Sequence, residues 1–258
     1  MKRFLSKGLA SLLAVGMLMG GAAAADAMPN AVFFDFETDD AGFTPIYADY
    51  PNSEGAEQFY EFRHASGDVP IEGAGKGIFI SGNNHSDDLF MGYVKKLDGF
   101  VPGRCYRFDL SFKLATKVEG GMIGVGGSPG SSVYVKCGFA TVEPRAVVDA
   151  HGDYRMNIDA GRQAVDGKDM IVVGNMEKIE STVRDAYEFK TFSAAFSVTA
   201  NGRGEVWLIL ASDSAFEATT SYYLDDIAVK WADAAEQPNV TRGQAAQMLF
   251  DRFGSANA

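Results

Sequence analysis

Histidine and cysteine are scarce in this sequence of 258 residues, which contains three histidines and two cysteines. His64, His85 and His151 lie far apart and follow none of the spacings that bring imidazoles together on one metal ion. None of them stands in an HExxH segment. The sequence therefore excludes a zinc centre of the usual histidine and cysteine type, and we expect each histidine at the protein surface.

Basic residues are also few. The chain has 23 lysines and arginines against 34 aspartates and glutamates, a formal net charge of −11. An acidic surface of this size repels the phosphate backbone, so nucleic acid is excluded as a partner.

Long apolar runs are absent after the N-terminus. A basic head is followed by an apolar stretch from Leu9 to Met19, and the small residues Ala25–Ala27 fit an A-x-A cleavage site. This pattern is typical of a secretory signal peptide, which we assign to residues 1–27. Because no other apolar run approaches about 18 residues, we expect no membrane span in the mature chain. The predicted location is secreted, either extracellular or associated with the cell wall.

The two cysteines, Cys105 and Cys137, leave two alternatives open. An even number of cysteines in an exported chain favours a disulfide. The alternation of side chains argues against one, since it places Cys105 with outward-facing residues and Cys137 with inward-facing ones.

The region from 28 to 232 has the patterning of β-structure. About ten to twelve short strands are separated by glycine-rich turns, and no long amphipathic helix precedes residue 240. The clearest strand alternates polar residues with core-facing Tyr106, Phe108, Leu110, Phe112 and Leu114. Strands of this kind are half-buried and antiparallel, so the sequence predicts an all-β, two-sheet antiparallel sandwich.

The last strand of this region, Ser221–Trp231, carries an acidic pair inside an apolar pattern. Ile227, Val229 and Trp231 share one face, and Asp225 has the same parity. We therefore expect the Asp225 carboxylate at the rim of the core. Burial there requires a cation, hydrogen bonds or protonation.

The segment Tyr222–Ile227, together with the opening strand Phe33–Glu37, resembles the terminal strands of jelly-roll carbohydrate-binding modules with a galactose-binding-like fold. The resemblance implies a non-catalytic module that binds a polysaccharide or a cell-wall component. It also implies a structural calcium ion between the two strands. The alternative to calcium binding is that the Asp225 carboxylate caps a turn or pairs with a lysine or arginine. The metal candidates are Glu37 and Asp225 first, then Asp35, Asp39 and Asp226.

A sugar site requires aromatic rings beside hydrogen-bonding groups. Trp207 and Trp231 lie in apolar strands and are predicted to be core residues. The rings expected at the surface are loop tyrosines with arginines nearby, and the candidate ligand-binding residues are Tyr47, Tyr50, Tyr60, Arg63, Tyr154 and Arg155.

Two alternatives to a binding module remain. One is a structural or adhesion protein of the cell envelope, and the other is a jelly-roll polysaccharide lyase or hydrolase. Residues 126–130 match the G-x-S-x-G pattern of serine hydrolases, but Pro129 has no N–H to donate to an oxyanion. We therefore interpret this segment as a turn and assign no catalytic residue.

Residues 233–258 change in character, with a linker followed by a helix that a capping box opens at Thr241. The segment NVTRGQAAQMLFDRFG resembles the closing helix of an S-layer homology repeat. The alternative is an ordinary capped helix that packs on the sandwich or stays mobile.

Overall fold

A computed structural model of the chain describes residues 30–179 and 183–234. The predicted signal peptide and the predicted C-terminal helix lie outside these ranges. Within them, no helical segment has the length and hydrophobicity of a membrane span.

The described residues form fourteen β-strands and one short helix. In chain order these are β1 Asn30–Phe34, β2 Thr44–Ala48, β3 Tyr50–Pro51, α1 Ala56–Phe59, β4 Arg63–Asp68, β5 Lys76–Asn83, β6 Leu89–Leu97, β7 Cys105–Thr116, β8 Val133–Ala140, β9 Ala146–Val148, β10 Asp153–Met156, β11 Met170–Asn175, β12 Glu188–Thr199, β13 Val206–Ser214 and β14 Thr219–Asp233.

Two antiparallel sheets make up the body of the fold. The first has the order β12-β7-β14-β5-β4, with β1 also paired to β14, and the second has the order β11-β8-β13-β6-β2. A small third sheet, β3-β10-β9, lies beside them. The predicted all-β jelly-roll sandwich is confirmed.

The main core lies between the two large sheets. The alternating residues of β7 face it as predicted, and Phe108, Phe112 and Leu114 are at most 1% exposed. Trp207 is buried, and Trp231 is half-buried against the core. Each fully buried side chain of this size contributes about 1.5–3 kcal/mol, so the interior of the sandwich supplies most of its stability.

A β-bulge in β14 changes the orientation predicted for Asp225. The pairing with β7 shifts register between Asp225 and Ala228, and Asp226 has a φ of 47°. Tyr222 and Leu224 face the core before the bulge, and Ile227 faces it afterwards. Asp225 therefore lies on the outer face of the sheet, and its predicted shared parity with Ile227 was wrong. An extra residue in a bulge reverses the faces of a strand, which alternation alone cannot reveal.

Residues 141–169 cover the outer face of the second sheet. A second apolar cluster forms there, in which Ile158 and Ala160 of the covering segment pack with Phe90 and Ile209 of the sheet. Gly138 permits this contact, because a Cβ atom at this position would lie 1.9 Å from the Asp169 carbonyl oxygen. The covering segment also carries β10, which positions Tyr154 and Arg155 near the end of the sandwich.

Both cysteines are free thiols. Cys137 is fully buried in the core and Cys105 is half-buried at the start of β7, so the disulfide alternative is not realised. Burial raises the pKa of Cys137 to about 12.

We therefore expect a thiol reagent to modify Cys105 in the native protein and to reach Cys137 only after unfolding. Thiol titration with and without guanidinium chloride measures this. The absence of any reactive thiol in unreduced, unfolded protein would contradict the assignment, since it would indicate a disulfide.

Candidate functional site

The predicted tyrosines come together in one aromatic cluster at an end of the sandwich. The Tyr47 and Phe62 rings stack with centroids 4.0 Å apart and an interplanar angle of 17°. Tyr50 lies 4.9 Å from Phe62, 4.9 Å from Tyr154 and 5.6 Å from Tyr60, measured between ring centroids. These rings come from β2, β3, β10 and the segment that follows α1, so the fold rather than the local sequence assembles them.

The expectation that all four tyrosines are exposed was wrong for two of them. Tyr50 is 6% exposed and Tyr60 is 3% exposed, because they pack against each other and against Leu89. Tyr47 and Tyr154 are half-buried. The cluster therefore presents only part of its aromatic surface to solvent.

An open groove of about 650 Å³ runs along this cluster. Its aromatic lining consists of Tyr47, Tyr50 and Phe62, and the rest of its apolar lining consists of Pro45, Ile46 and Ala146. The polar lining consists of the exposed side chains of Glu57, Gln58, Glu61, Arg63 and His64. The groove thus combines aromatic surface with hydrogen-bond donors and acceptors.

The lining of the groove is held in place by internal contacts. The Tyr47 hydroxyl donates a hydrogen bond to the Arg63 carbonyl oxygen at 2.9 Å. Burial raises the pKa of Tyr47 well above its usual value, and burial also raises the pKa of Tyr50 to about 12. Both phenols are therefore neutral near pH 7 and keep their hydrogens as donors. The exposed Arg63 side chain takes no part in holding Tyr47, and its Nη2 atom lies 3.9 Å from Glu61 Oε2, so the two charged side chains stand beside each other in the groove.

Of the predicted ligand-binding residues, Tyr60 and Tyr154 belong to the aromatic cluster but do not line the groove, and neither does Arg155. Arg155 lies in a neighbouring pocket of about 300 Å³, where its Nη1 atom is 2.8 Å from Asp49 Oδ1 and 3.6 Å from Asp88 Oδ2. The arginine therefore belongs to a charged cluster and not to the aromatic groove.

The charged cluster centres on Asp49, Asp88 and Asp213, with one carboxylate oxygen from each lying within 4.8 Å of the others. This arrangement could hold a metal ion. Asp213 also pairs with the fully buried Lys136, whose Nζ atom is 3.0 Å from Asp213 Oδ2. Burial, followed by the negative charges of Asp49 and Asp213, raises the pKa of Asp88 to about 6. Sequence reasoning missed these three aspartates, which stand far apart in the chain.

The acids for which calcium was predicted lie either just after β1 or within β14. Glu37 Oε1 accepts the Lys76 N–H at 3.0 Å, and a Cβ atom at Gly75 would lie 2.0 Å from the same oxygen. Asp225 packs beside Gly77 and is 3% exposed. These contacts bring Glu37 and Asp225 to the same end of β5.

The other three predicted metal ligands have local partners. Asp35 Oδ1 accepts the Glu37 N–H at 3.3 Å, and Asp39 Oδ1 accepts the Ala41 N–H at 2.7 Å. Asp226 forms an ion pair of 2.6 Å with Lys113. Their oxygens therefore stabilise turns and the bulge.

The protonation of Asp225 predicts a pH-dependent stability. Burial, together with the charges of Asp226 and Glu37, raises its pKa from 3.8 to about 6. Between pH 3.8 and about pH 6, the Asp225 carboxyl group is deprotonated in the unfolded chain but still protonated in the folded chain. In a chelator we expect stability to fall as the pH rises through this window, by about 3 kcal/mol for a shift of about two units.

Urea unfolding of wild type and Asp225→Asn, from pH 4 to pH 7, measures this contribution. The variant is expected to lose the part of the pH dependence that comes from Asp225. If the free energy of unfolding changed with pH in the same way for both proteins, the prediction would be contradicted. Asp109→Asn, an exposed aspartate on β7, is the matched control.

The segment around Ser128 is a turn, as predicted. The Ser128 hydroxyl oxygen accepts the Gly130 N–H at 3.1 Å and the Ser131 N–H at 3.2 Å. The hydroxyl therefore caps its own loop.

No protein-family model matches the chain, and no curated protein matches it in sequence. Among solved structures, CBM27-1 of Caldicellulosiruptor saccharolyticus in complex with mannohexaose matches with a TM-score of 0.40 and 10% identity, covering 77% of this chain and 96% of that one. The K1 cleaved adhesin domain of Lys-gingipain from Porphyromonas gingivalis W83 matches with a TM-score of 0.37 and 13% identity, covering 78% and 98%.

A third match is the CBM22-1–GH10 structure of the Clostridium thermocellum endo-1,4-beta-D-xylanase 10B, complexed with xylohexaose. Its TM-score is 0.39 and its identity 12%, and it covers 79% of this chain. The chain spans only 28% of that xylanase structure. With TM-scores below 0.5 and identities below 15%, these likenesses leave the function of the chain to be argued from its own side chains.

Proposed function

We propose that the chain is a secreted, non-catalytic module that binds polysaccharide or another carbohydrate of a cell surface. The observation that carries this proposal is the groove of about 650 Å³, which has aromatic rings in its lining and polar side chains beside them. A ligand with this combination of surfaces must itself be amphipathic.

Sugars have such surfaces, since a pyranose ring presents apolar C–H groups on its faces and hydroxyl groups around its edge. In the proposed complex the C–H faces pack on the partly exposed rings of Tyr47 and Phe62. The hydroxyl groups exchange hydrogen bonds with Glu57, Glu61 and Arg63, which offer both acceptors and donors. Because the rings are already stacked, little side-chain entropy is lost on binding.

The groove is open, which favours a chain over a single sugar. A volume of about 650 Å³ is comparable with that of sites for drug-sized ligands, and its exposed polar lining leaves room for a polymer to continue beyond it.

A structural calcium ion between the terminal strands is part of the proposal. Glu37 and Asp225 supply carboxylate oxygens, and the absence of a side chain at Gly75 lets the Glu37 carboxylate lie against the backbone there. When bound, calcium would neutralise both acids and link the two ends of the sandwich. Asp225 is oriented for this role by the Asp226 N–H, which donates to its Oδ1 at 2.7 Å.

Retention on insoluble cellulose, xylan, chitin and peptidoglycan tests the binding function, in calcium and then in EDTA. We expect the protein to be retained on one of these polymers, and we expect the soluble oligomer of that polymer to compete with this retention. Loss of retention in EDTA would support a metal requirement. A folded protein that none of the four retains would contradict a general carbohydrate-binding role.

An adhesion protein of the cell envelope is the second candidate. The observation that favours it is an exposed apolar loop between β7 and β8, in which Met122, Ile123 and Val125 are 47%, 95% and 67% exposed. Apolar side chains this exposed are typical of contact surfaces for proteins. Binding to cell-wall fractions that soluble sugars do not compete, and that Ile123→Ser abolishes, would favour this function.

A further inference from the structure

The charged cluster beside the aromatic groove has more acid than base. The charged groups that face one another there are Asp49, Asp88, Asp149, Asp153, Asp213, Lys136, Arg155 and Arg162. Five carboxylates therefore share three cations, and the Arg162 side chain is 76% exposed. Negative charge is therefore in excess around the buried Asp88 and Asp213, and a divalent cation would neutralise it.

Two oxygen atoms in the cluster are buried without a hydrogen-bond partner. Asp88 directs Oδ2 toward Arg155 and Arg162, at 3.6 Å and 3.2 Å, while its Oδ1 atom has no partner. Asp213 uses Oδ2 for Lys136 and for the Gln163 N–H, at 3.0 Å and 2.7 Å, and its Oδ1 atom likewise has none. The two residues are 7% and 1% exposed. A buried oxygen that accepts nothing is costly, so these atoms indicate a missing ligand.

From these observations we infer that Asp49, Asp88 and Asp213 form a calcium site, separate from the acids on the terminal strands. The free Oδ1 atoms of Asp88 and Asp213 are its central ligands, and the protein cations keep the Oδ2 atoms. Calcium bonds to oxygen at about 2.3–2.6 Å, so oxygens on opposite sides of the ion are up to about 5 Å apart. One oxygen atom from each of the three carboxylates lies within 4.8 Å of the other two, which fits this sphere. Water from the adjoining pocket of about 300 Å³ completes the coordination.

The site would join three parts of the molecule. Asp49 directly precedes Tyr50 of the aromatic cluster, Asp88 directly precedes β6, and Asp213 lies in β13 of the second sheet. The Gln163 N–H links the covering segment to Asp213. An ion here would fix the covering segment against the sheet. The inference does not depend on what the groove binds.

Calcium titration of the full-length, chelator-treated protein tests the inference, by calorimetry and by the calcium-induced change in Tm. The key comparison sets Asp88→Asn and Asp213→Asn against a Glu37→Gln/Asp225→Asn variant. The first two variants are expected to lose affinity about tenfold or more, whereas the terminal-strand variant keeps this binding event. Asp109→Asn, an exposed aspartate elsewhere, serves as the control and is expected to match wild type.

Three results would overturn the site: no calcium binding by wild type, an unchanged titration for folded Asp88→Asn or Asp213→Asn, or loss of all binding in the terminal-strand variant. Far-UV circular dichroism establishes that each variant is folded. If neither single aspartate variant folds, the terminal-strand variant alone decides the matter, because its remaining calcium binding must come from another site. Failure of the carbohydrate-binding assay would leave this titration unaffected.

Discussion

Replacement of Lys136 with methionine is expected to lower the free energy of unfolding by about 3–5 kcal/mol. The Lys136 side chain is 0% exposed and its partner Asp213 is 2% exposed, with 3.0 Å between the charged atoms. Methionine fills a similar volume but leaves the Asp213 carboxylate buried with the Gln163 N–H as its main partner. A buried charge without its counter-charge accounts for the loss. Urea unfolding in EDTA measures it.

Two further variants test whether the cost is electrostatic. The double variant Lys136→Met/Asp213→Asn removes both charges and keeps an acceptor for the Gln163 N–H, so it is expected to recover most of the stability. Lys230→Met, at an exposed lysine of β14, is the matched control and should change stability by less than about 0.5 kcal/mol. A loss under about 1 kcal/mol for Lys136→Met would contradict a buried ion pair.

The second large effect is expected in the groove. Phe62→Ala should weaken binding of the retained polysaccharide's soluble oligomer by about 30-fold or more, the effect of losing a contact worth about 2 kcal/mol. Phe62 stacks on Tyr47 and also contacts Tyr50, so its loss removes one ring and frees another. Isothermal titration calorimetry gives the affinities.

Phe33→Ala is the control for this prediction, since Phe33 is a 57% exposed ring of β1 outside the groove. Phe62→Leu keeps much of the apolar volume without an aromatic face, and an intermediate loss is expected. Equal affinities for wild type and folded Phe62→Ala would remove the groove from the binding site.

The sandwich could be predicted because alternation is a local property. The polar residues from Arg107 to Lys113 of β7 each stand between two core residues, and this pattern has only one simple structural interpretation. The same reasoning failed at Asp225, where the bulge at Asp226 reverses the faces within one strand. Exposure of Tyr50 and Tyr60 was also misjudged, because burial of a loop ring depends on neighbours from distant segments.

The charged cluster could not be predicted from sequence. Phe90 of β6 pairs with Ala48 of β2 on one side and with Asp213 of β13 on the other. Because Asp49 follows Ala48 and Asp88 lies just before β6, both residues come to lie beside Asp213. That convergence depends on the register of three strands, and no spacing in the sequence records it. The sequence indicated Tyr47, Tyr50 and Arg63 as candidate ligand-binding residues from their residue types alone. It could not show that the three line one groove.

The location of the sugar tests the central claim most directly. A two-dimensional NMR titration of the ¹⁵N-labelled protein with a soluble oligomer of the retained polysaccharide would map the affected amides. We expect the largest shifts at Tyr47, at Phe62 and Arg63, and along α1. Largest shifts at the exposed loop around Ile123, or no shifts at saturating oligomer, would contradict a carbohydrate site in the aromatic groove.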